Sequence, residues 1–224
     1  MRLILVATLA LAPVILARES EPVQRLDEAA AVFGEIMAVP DRSIPEDLLA
    51  NAHCIVIAPG VKKAAFIFGG RYGKGYLSCR DKSGSGWSAP ATVRIEGGSM
   101  GFQLGASSTD LILLVMNERG AARLLETEFT IGAGASVAAG PVGRSAGAQT
   151  DALMRAEILS YSRSQGVFAG VALKGATLRQ DLDDNETLYG KKLENREIVT
   201  SGMPVPQSAA ALIALLNKHS KRER

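Results

Sequence analysis

The first regular pattern in the chain is helical and lies between Leu26 and Met37. Apolar residues recur there every three or four positions, and Pro40 follows the last of them. The polar positions, which are expected to face solvent, carry Arg25, Asp27, Glu28 and Glu35. They are acidic on balance, so an anionic membrane would repel that side. The pattern predicts an amphipathic helix that packs on the core, with membrane insertion as the weaker alternative. A second, short helix is predicted near Ile44, with Pro45 in its first turn.

From Cys54 onward, brief apolar runs alternate with glycine, which is typical of β-strands separated by turns. Short helices are predicted after Asn117 and near the C-terminus, where Ser208 is a candidate cap. No long linker or repeat divides the body of the chain. The sequence therefore predicts a single α+β domain dominated by antiparallel β-sheet, sandwich or barrel-like, with flanking N- and C-terminal helices.

The first 17 residues, MRLILVATLALAPVILA, have the form of a secretory signal. Arg2 precedes an apolar run shorter than the roughly 20 residues that span a bilayer, and the small Ala17 lies before a polar junction. We therefore expect a signal peptide over residues 1–17 and one mature domain over residues 18–224. The mature domain is expected to be exported, to a periplasmic or extracellular location, with a retained anchor as the alternative.

The chain has two cysteines, Cys54 and Cys79. Export would place them in an oxidising compartment, where two cysteines on neighbouring strands are expected to form a disulfide. Sequence spacing does not establish the geometry of a disulfide, so two buried free thiols are the alternative.

Composition narrows the classes of function. The 224 residues are 47% hydrophobic, which supports one domain with a sizeable core. Twenty-five basic against 23 acidic residues give a net charge of +2, far from the excess of a dedicated nucleic-acid binder. Nucleic acid is therefore not an expected partner, and any electrostatic function has to be local.

Positive charge is concentrated in one glycine-rich segment, GVKKAAFIFGGRYGKGYLSCR, at residues 60–80. Glycines permit positive φ and leave backbone N–H groups uncovered, so a turn here could receive an anion. From the residues alone, contact with anionic head groups and an ordinary solvated basic hairpin are equally supported. The candidate contact residues are Lys62, Lys63, Arg71, Lys74 and Arg80, with the glycines Gly70 and Gly73.

Catalytic motifs in the chain are incomplete. The basic segment lacks both the first glycine and the Ser or Thr of a Walker P-loop. Ser99 and Ser145 each lie in G-x-S-x-G, but strand-like sequence follows Ser99, and the only histidine after Ser145 is His219 in a charged tail. Turn glycines explain both matches better than a nucleophile does. We predict no catalytic residue and no enzymatic activity, and hold a hydrolase as a minor alternative.

Neither a metal nor a cofactor is predicted. The two histidines, His53 and His219, lie far apart in the sequence. An acidic cluster lacks the spacing of an EF-hand, and a solvated helix start explains it better than a calcium site, because carboxylates favour that terminus. The cluster consists of Asp181, Asp183, Asp184 and Glu186.

Four segments resemble successive blocks of the SYLF lipid-binding domain family, in that family's order. They are GVKKAAFIFGGRYGKG, GGSMGFQLGASSTDLILLVMNERG, ASVAAGPVGR and AEILSYSRSQGVFAGVALKG. The resemblance covers about residues 44–190, the core of the expected domain. For eukaryotic members it implies phosphoinositide binding assisted by an N-terminal amphipathic helix and basic residues, and for fungal members it also implies binding to actin filaments.

The leader suggests an exported, bacterial member of the family, and the acidic side of the first helix departs from the membrane-inserting pattern. The resemblance favours lipid contact over a merely solvated hairpin. We therefore predict a non-catalytic module that contacts an anionic phospholipid membrane surface at the cell envelope. The alternative is a structural or protein-interaction module that binds an envelope protein, actin-binding-like by family analogy, through the sheet or the C-terminal KHSKRER tail.

Overall fold

The structure is a computed structural model, and it describes residues 20–65, 68–81, 86–100, 105–133, 135–143, 156–164, 166–171, 173 and 175–221. The expected signal peptide and Ser145 lie outside these residues. Within the described part of the chain, no helix combines the length and the apolar character needed to cross a membrane.

The helix predicted at the start of the domain is present as α1 (Glu21–Met37). Pro22 lies in its first turn, where the missing N–H costs no hydrogen bond. Its apolar side is buried, with Leu26 and Phe33 at 1% and 0% exposure. The prediction of a core-packed helix is therefore confirmed.

Five further α-helices are described. The helices predicted near Ile44 and after Asn117 are present, and the Asn117 side chain accepts a hydrogen bond from the Gly120 N–H at 2.8 Å, which caps its helix. Ser208 does not cap the last helix, because it lies within a preceding 3₁₀ turn, Gln207–Ala209. The helices are α2 (Glu46–Asn51), α3 (Glu118–Leu124), α4 (Leu182–Tyr189), α5 (Asn195–Thr200) and α6 (Ala210–His219).

Nine strands are described, and all belong to one curled sheet. They are β1 (Cys54–Ala65), β2 (Phe68–Cys79), β3 (Ala91–Met100), β4 (Gly105–Val115), β5 (Glu128–Thr130), β6 (Val137–Ala139), β7 (Ile158–Ser164), β8 (Val167–Gly170) and β9 (Thr177–Gln180). Their order is β5-β9-β3-β2-β1-β4-β7-β6, and β8 also pairs with β7. All the pairs are antiparallel except β6 with β7. The predicted α+β fold dominated by antiparallel sheet is confirmed, in the form of a half-barrel.

Strand alternation gives the sheet two hydrophobic cores, one on each face. Ile57 of β1 and Tyr76 of β2 contribute to the core under α1, α2 and α6, and we call this side of the sheet the α1 face. Val56 and Leu77 contribute to the core on the opposite face, which α3 and α5 help to cover. Towards the C-terminal end of β1, Lys62 of the α1 face is exposed.

Two glycines of β2 make room for an irregularity in β1. The register of the two strands shifts between Ile57 and Lys62. A Cβ on Gly75 would lie 2.4 Å from the Ile57 carbonyl oxygen, and one on Gly73 would lie 2.8 Å from Cγ2 of Val61. Glycine is required at these positions because the backbone of β1 approaches too closely for any side chain.

Candidate functional site

The basic residues predicted to contact lipid lie on both sides of the β1–β2 hairpin. Lys62 is opposite Tyr72, and the next pair along the strands is Lys63 and Arg71. Because neighbouring positions of a strand face opposite sides, Lys62 and Tyr72 lie on the α1 face, while Lys63 and Arg71 lie on the opposite face. The structure thus brings these three basic residues to one end of the hairpin without gathering them on one surface.

The glycines of the segment do not form the predicted anion-receiving turn. Gly70 and Gly73 are residues of β2, which pairs with β1 on one side and β3 on the other. Neither has a positive φ. Gly70 pairs with Ala64 of β1 and Gly98 of β3, and Gly73 pairs with Ile95 of β3, so both lie in sheet pairing. These two glycines therefore do not form the turn on which the prediction rested.

Lys74 lies further along β2 and is held by two carboxylates. Its Nζ lies 2.9 Å from Oδ2 of Asp181 and 3.0 Å from Oδ1 of Asp184. Burial alone would lower the pKa of Lys74, but its hydrogen bonds and attraction to these carboxylates outweigh burial and raise it. The charge of Lys74 is thus compensated inside the protein, so this residue does not fit the predicted contact with lipid.

The same carboxylates bind α1. Arg25 donates a hydrogen bond from Nη1 to Oδ2 of Asp184 at 2.8 Å, and the Arg25 side chain is only 9% exposed. Arg25 was expected on the solvent side of α1, so this placement was wrong. We call the group of Arg25, Lys74, Asp181 and Asp184 the buried ion network. It connects α1, β2 and the start of α4, and sequence reasoning missed it because its members are distant along the chain.

The acidic cluster begins a helix as predicted, but only part of it is solvated. Asp181 precedes the first turn of α4 and, like Asp184, is buried. Asp183 and Glu186 are exposed and pair with Lys192 at 3.2 and 3.8 Å. The expectation of a wholly solvated cluster was wrong, because the basic side chains of the buried ion network reach the two inner carboxylates.

Asn185, the next residue of α4, fixes this helix to β3. It is completely buried, and its Oδ1 accepts hydrogen bonds from the Thr92 N–H at 2.8 Å and from the Thr92 hydroxyl at 2.7 Å. Its Nδ2 donates to the Leu193 carbonyl and to Asn195, each at 2.9 Å. These bonds hold α4 where its two carboxylates meet Lys74.

Arg80 also has a structural environment. Its guanidinium lies 4.3 Å from the centre of the Trp87 ring, in a cation–π contact. It donates hydrogen bonds to four backbone carbonyl oxygens, those of Leu49, Ala50, Ala52 and Ser220, at 2.8 to 3.2 Å. Arg80 therefore joins the end of α2 to the segment after α6, at the opposite end of β2 from Arg71, and the structure does not bring it to the other predicted contacts.

A disulfide joins Cys54 and Cys79. These residues lie opposite each other, at the start of β1 and the end of β2, and both are buried. The pairing that the sequence left open is thus present in the structure. The bond closes the hairpin at the end that lies away from Lys62.

The candidate catalytic and metal-binding residues that the structure describes, Ser99, His53 and His219, do not assemble into a site. Ser99 lies within β3, not in the strand-to-helix turn that a nucleophile elbow requires. His53 and His219 line one open groove, and Nδ1 of His219 lies 3.0 Å from Oε1 of Glu46. Among the residues that the structure describes, no group of three or more His, Cys, Asp or Glu side chains could hold a metal.

Three residues of the predicted contact set lie at the end of the hairpin away from the disulfide. We call Lys62, Lys63 and Arg71 the hairpin-end cluster. Lys62 is exposed, while the other two are partly buried. Burial lowers the pKa of Arg71, and no carboxylate of the described residues forms a salt bridge with Arg71 or Lys62. Like charges directly opposite each other, as at Lys63 and Arg71, repel. Lys63 and Arg71 thus place two positive charges side by side on the face opposite α1.

Comparison with known proteins identifies the relatives of the chain. The family model described as Ysc84, Las17-binding protein actin regulator, matches residues 96–219, a range that includes α4 and begins after the hairpin-end cluster. SH3 domain-containing protein PJ696.02 of Schizosaccharomyces pombe is 36% identical over 178 residues, which are 78% of this chain and 41% of that protein.

Similar matches extend to budding yeast and human proteins. Protein YSC84 of Saccharomyces cerevisiae is 33% identical over 183 residues, 80% of this chain and 39% of that protein. SH3 domain-containing YSC84-like protein 1 of Homo sapiens is 30% identical over 184 residues, 82% of this chain and 53% of that protein. The matched part of the chain corresponds to about two fifths to one half of the length of these relatives.

Proposed function

Because the chain belongs to the Ysc84/SYLF domain family, we propose that it is a non-catalytic module that binds anionic phospholipid surfaces through the hairpin-end cluster. The observation that carries this proposal is the local concentration of positive charge at one end of a sheet, on a chain whose net charge is only +2. Basic residues near an anionic surface contribute about 1 kcal/mol each. Three of them would give reversible binding that weakens as salt is added.

Two residues of the contact set predicted from the sequence are left out of this proposal. Lys74 and Arg80 are already bound to carboxylates and to backbone carbonyls, respectively. Replacing either would test the stability of the fold and not the contact with lipid. The contact set that we propose is the group that lies together at one end of the hairpin, Lys62, Lys63 and Arg71.

A second candidate function is binding to an acidic protein surface through the same cluster. The description of the family as a Las17-binding actin regulator favours it, and an actin filament is the natural protein to test. A protein of the cell envelope would be a partner of the same kind if the chain is exported. These partners offer negative charge without a lipid, so vesicle binding separates them from the first proposal.

Changing Lys62, Lys63 and Arg71 together to Ala is expected to weaken binding to anionic vesicles about 100-fold, since about 3 kcal/mol of attraction is lost. The measurement is co-sedimentation with phosphatidylcholine vesicles that contain or lack phosphatidylserine, at low and high salt. The wild-type chain should bind only the anionic vesicles, and less well at high salt.

A control variant with the same loss of charge is available elsewhere on the surface. Lys191, Arg196 and Lys218 are exposed and lie outside the hairpin. Their triple change to Ala should leave vesicle binding nearly unchanged. Equal losses in the two triple variants would reject the site in favour of diffuse attraction, and binding to actin filaments but to no vesicle would favour the second candidate.

We also propose that the mature chain is exported. The leader-like sequence at residues 1–17 and the joined cysteines support this location. N-terminal sequencing of the protein recovered from its native cells should begin near residue 18, in a fraction outside the cytoplasm. Recovery from the membrane with the first segment intact would support the anchor alternative, and an intact chain in the cytoplasm would contradict export.

A further inference from the structure

The α1 face of the hairpin end carries an exposed aromatic side chain. Lys62, Tyr72 and Glu96 lie in one row across β1, β2 and β3, and Gly70 pairs with Gly98 further outward on the same face. Tyr72 is 50% exposed, and a Cβ on either of these glycines would meet nothing within 4 Å. The ring of Tyr72 thus lies next to a solvent-facing part of the sheet, formed by Gly70 and Gly98, that has no side chains.

Tyr72 differs from the other large exposed apolar residues of the described chain, which are valines: Val39, Val167 and Val205. Single exposed apolar residues are normal on protein surfaces. A tyrosine combines an apolar ring with a polar hydroxyl, and such rings prefer the head-group level of a membrane. Here the ring lies directly opposite Lys62, whose charge complements an anionic lipid surface.

The distribution of charge restricts how the sheet could approach a membrane. A flat approach by the α1 face would present Lys62 but would leave Lys63 and Arg71 on the far side. It would also press the acidic outer side of α1, including the exposed Asp27 and Glu28, against anionic lipid. A flat approach by the opposite face would leave Tyr72 in water. Only an approach by the end of the hairpin brings both faces to the lipid.

We propose that the hairpin end enters the head-group layer of an anionic membrane end-on, with Tyr72 among the head groups on one face and Arg71 bound to lipid phosphate on the other. This inference rests on the proposed function and adds the orientation of the module and an aromatic contact. Tyr72 supplies apolar attraction, while the hairpin-end cluster supplies charge. The two contributions can be measured separately because they differ in their response to salt.

Changing Tyr72 to Ala is expected to weaken binding to anionic vesicles five- to thirtyfold, about 1 to 2 kcal/mol. The salt dependence should stay as in the wild-type chain, because no charge is removed. Tyr72→Trp should bind at least as well as wild type, since Trp is also a head-group residue. Val205→Ala is the matched control, because Val205 is 37% exposed and lines a pocket with Asp81 and Trp87, at the end of β2 away from Tyr72, and it should bind as wild type does.

Fluorescence of Tyr72→Trp tests the orientation directly. Trp87 is the only native tryptophan and is buried, so it gives a nearly constant background. Anionic vesicles should shift the emission of the new tryptophan to the blue, and brominated lipids should quench it. A Val205→Trp variant, with its new ring at the opposite end of β2, should show neither effect.

The outcomes separate this inference from the proposed function. If Tyr72→Ala binds vesicles as wild type does, or if Trp at position 72 stays in water while the protein is bound, the end-on orientation is wrong and the lipid function stands. If the wild-type chain binds no anionic vesicle, the proposed function itself fails. A blue shift with actin filaments and none with vesicles would assign the surface to a protein and overturn the lipid contact.

Discussion

Changing Asp184 to Ala is expected to lower the free energy of unfolding by about 3 to 5 kcal/mol, because it leaves buried cations without a partner. Asp184 binds Arg25 of α1 with one oxygen and Lys74 of β2 with the other, at 2.8 and 3.0 Å. Among the described salt bridges, this leaves Arg25 with the exposed Glu21 and Lys74 with Asp181. Urea denaturation followed by circular dichroism measures the loss.

The neighbouring residue provides the matched control. Asp183 is in the same first turn of α4, but its side chain is 84% exposed and pairs with the exposed Lys192. Asp183→Ala should change the free energy of unfolding by less than about 0.5 kcal/mol. Equal losses in the two variants would mean that the carboxylates act through the helix terminus alone, and the buried ion network would lose its assigned role.

Reduction of the disulfide is expected to lower the free energy of unfolding by about 3 to 4 kcal/mol. Cys54 and Cys79 are 25 residues apart, and closing a loop of that length restricts the unfolded chain by about this amount. The measurement is urea denaturation with and without reductant, with the slope fitted separately in each case because the disulfide makes the unfolded chain more compact.

A double variant, Cys54→Ala with Cys79→Ala, is the control for reduction. Its midpoint should lie near that of the reduced wild-type chain and should not respond to reductant. Thiol labelling of the unfolded, unreduced protein should find no free cysteine. Two reactive thiols in protein taken from an oxidising compartment would show that the bond does not form there.

The features predicted best from the sequence were those with a local cause. The apolar spacing between Leu26 and Met37 specified α1 because a helix repeats every 3.6 residues, and its buried side is the side that the pattern predicted. Short apolar runs with glycine between them likewise predicted an antiparallel sheet. The splitting of the hairpin-end cluster had a signal too, since Lys62 and Lys63 are adjacent in a strand and must face opposite sides.

The environments of Lys74 and Arg80 had no local signal. Lys74 meets a carboxylate 110 residues away, and Arg80 meets a carbonyl 140 residues away. A basic residue in a sequence carries no indication of whether a distant segment will neutralise it. The same holds for Arg25, whose partner Asp184 is 159 residues away.

Gly73 and Gly75 show a related difficulty. Both were interpreted as sources of unusual backbone angles, whereas the structure needs them because β1 approaches too closely for a Cβ. Glycine serves either purpose, and only the neighbouring strand decides between them. The sequence therefore identified the basic residues of the segment but did not predict the surface on which each of them lies.

The dependence of α1 on the opposite end of the chain has a consequence for the order of folding. Phe33 contacts the ring of His219, and the ion partner of Arg25 is in α4, so α1 is synthesised long before two of the segments that it contacts. Contacts of such high sequence separation form slowly, since the loop they close must be ordered first. The nascent helix can pack on β1 and β2, but the part of its apolar side that α6 covers stays exposed until α6 has been made, a state that invites aggregation or chaperone capture.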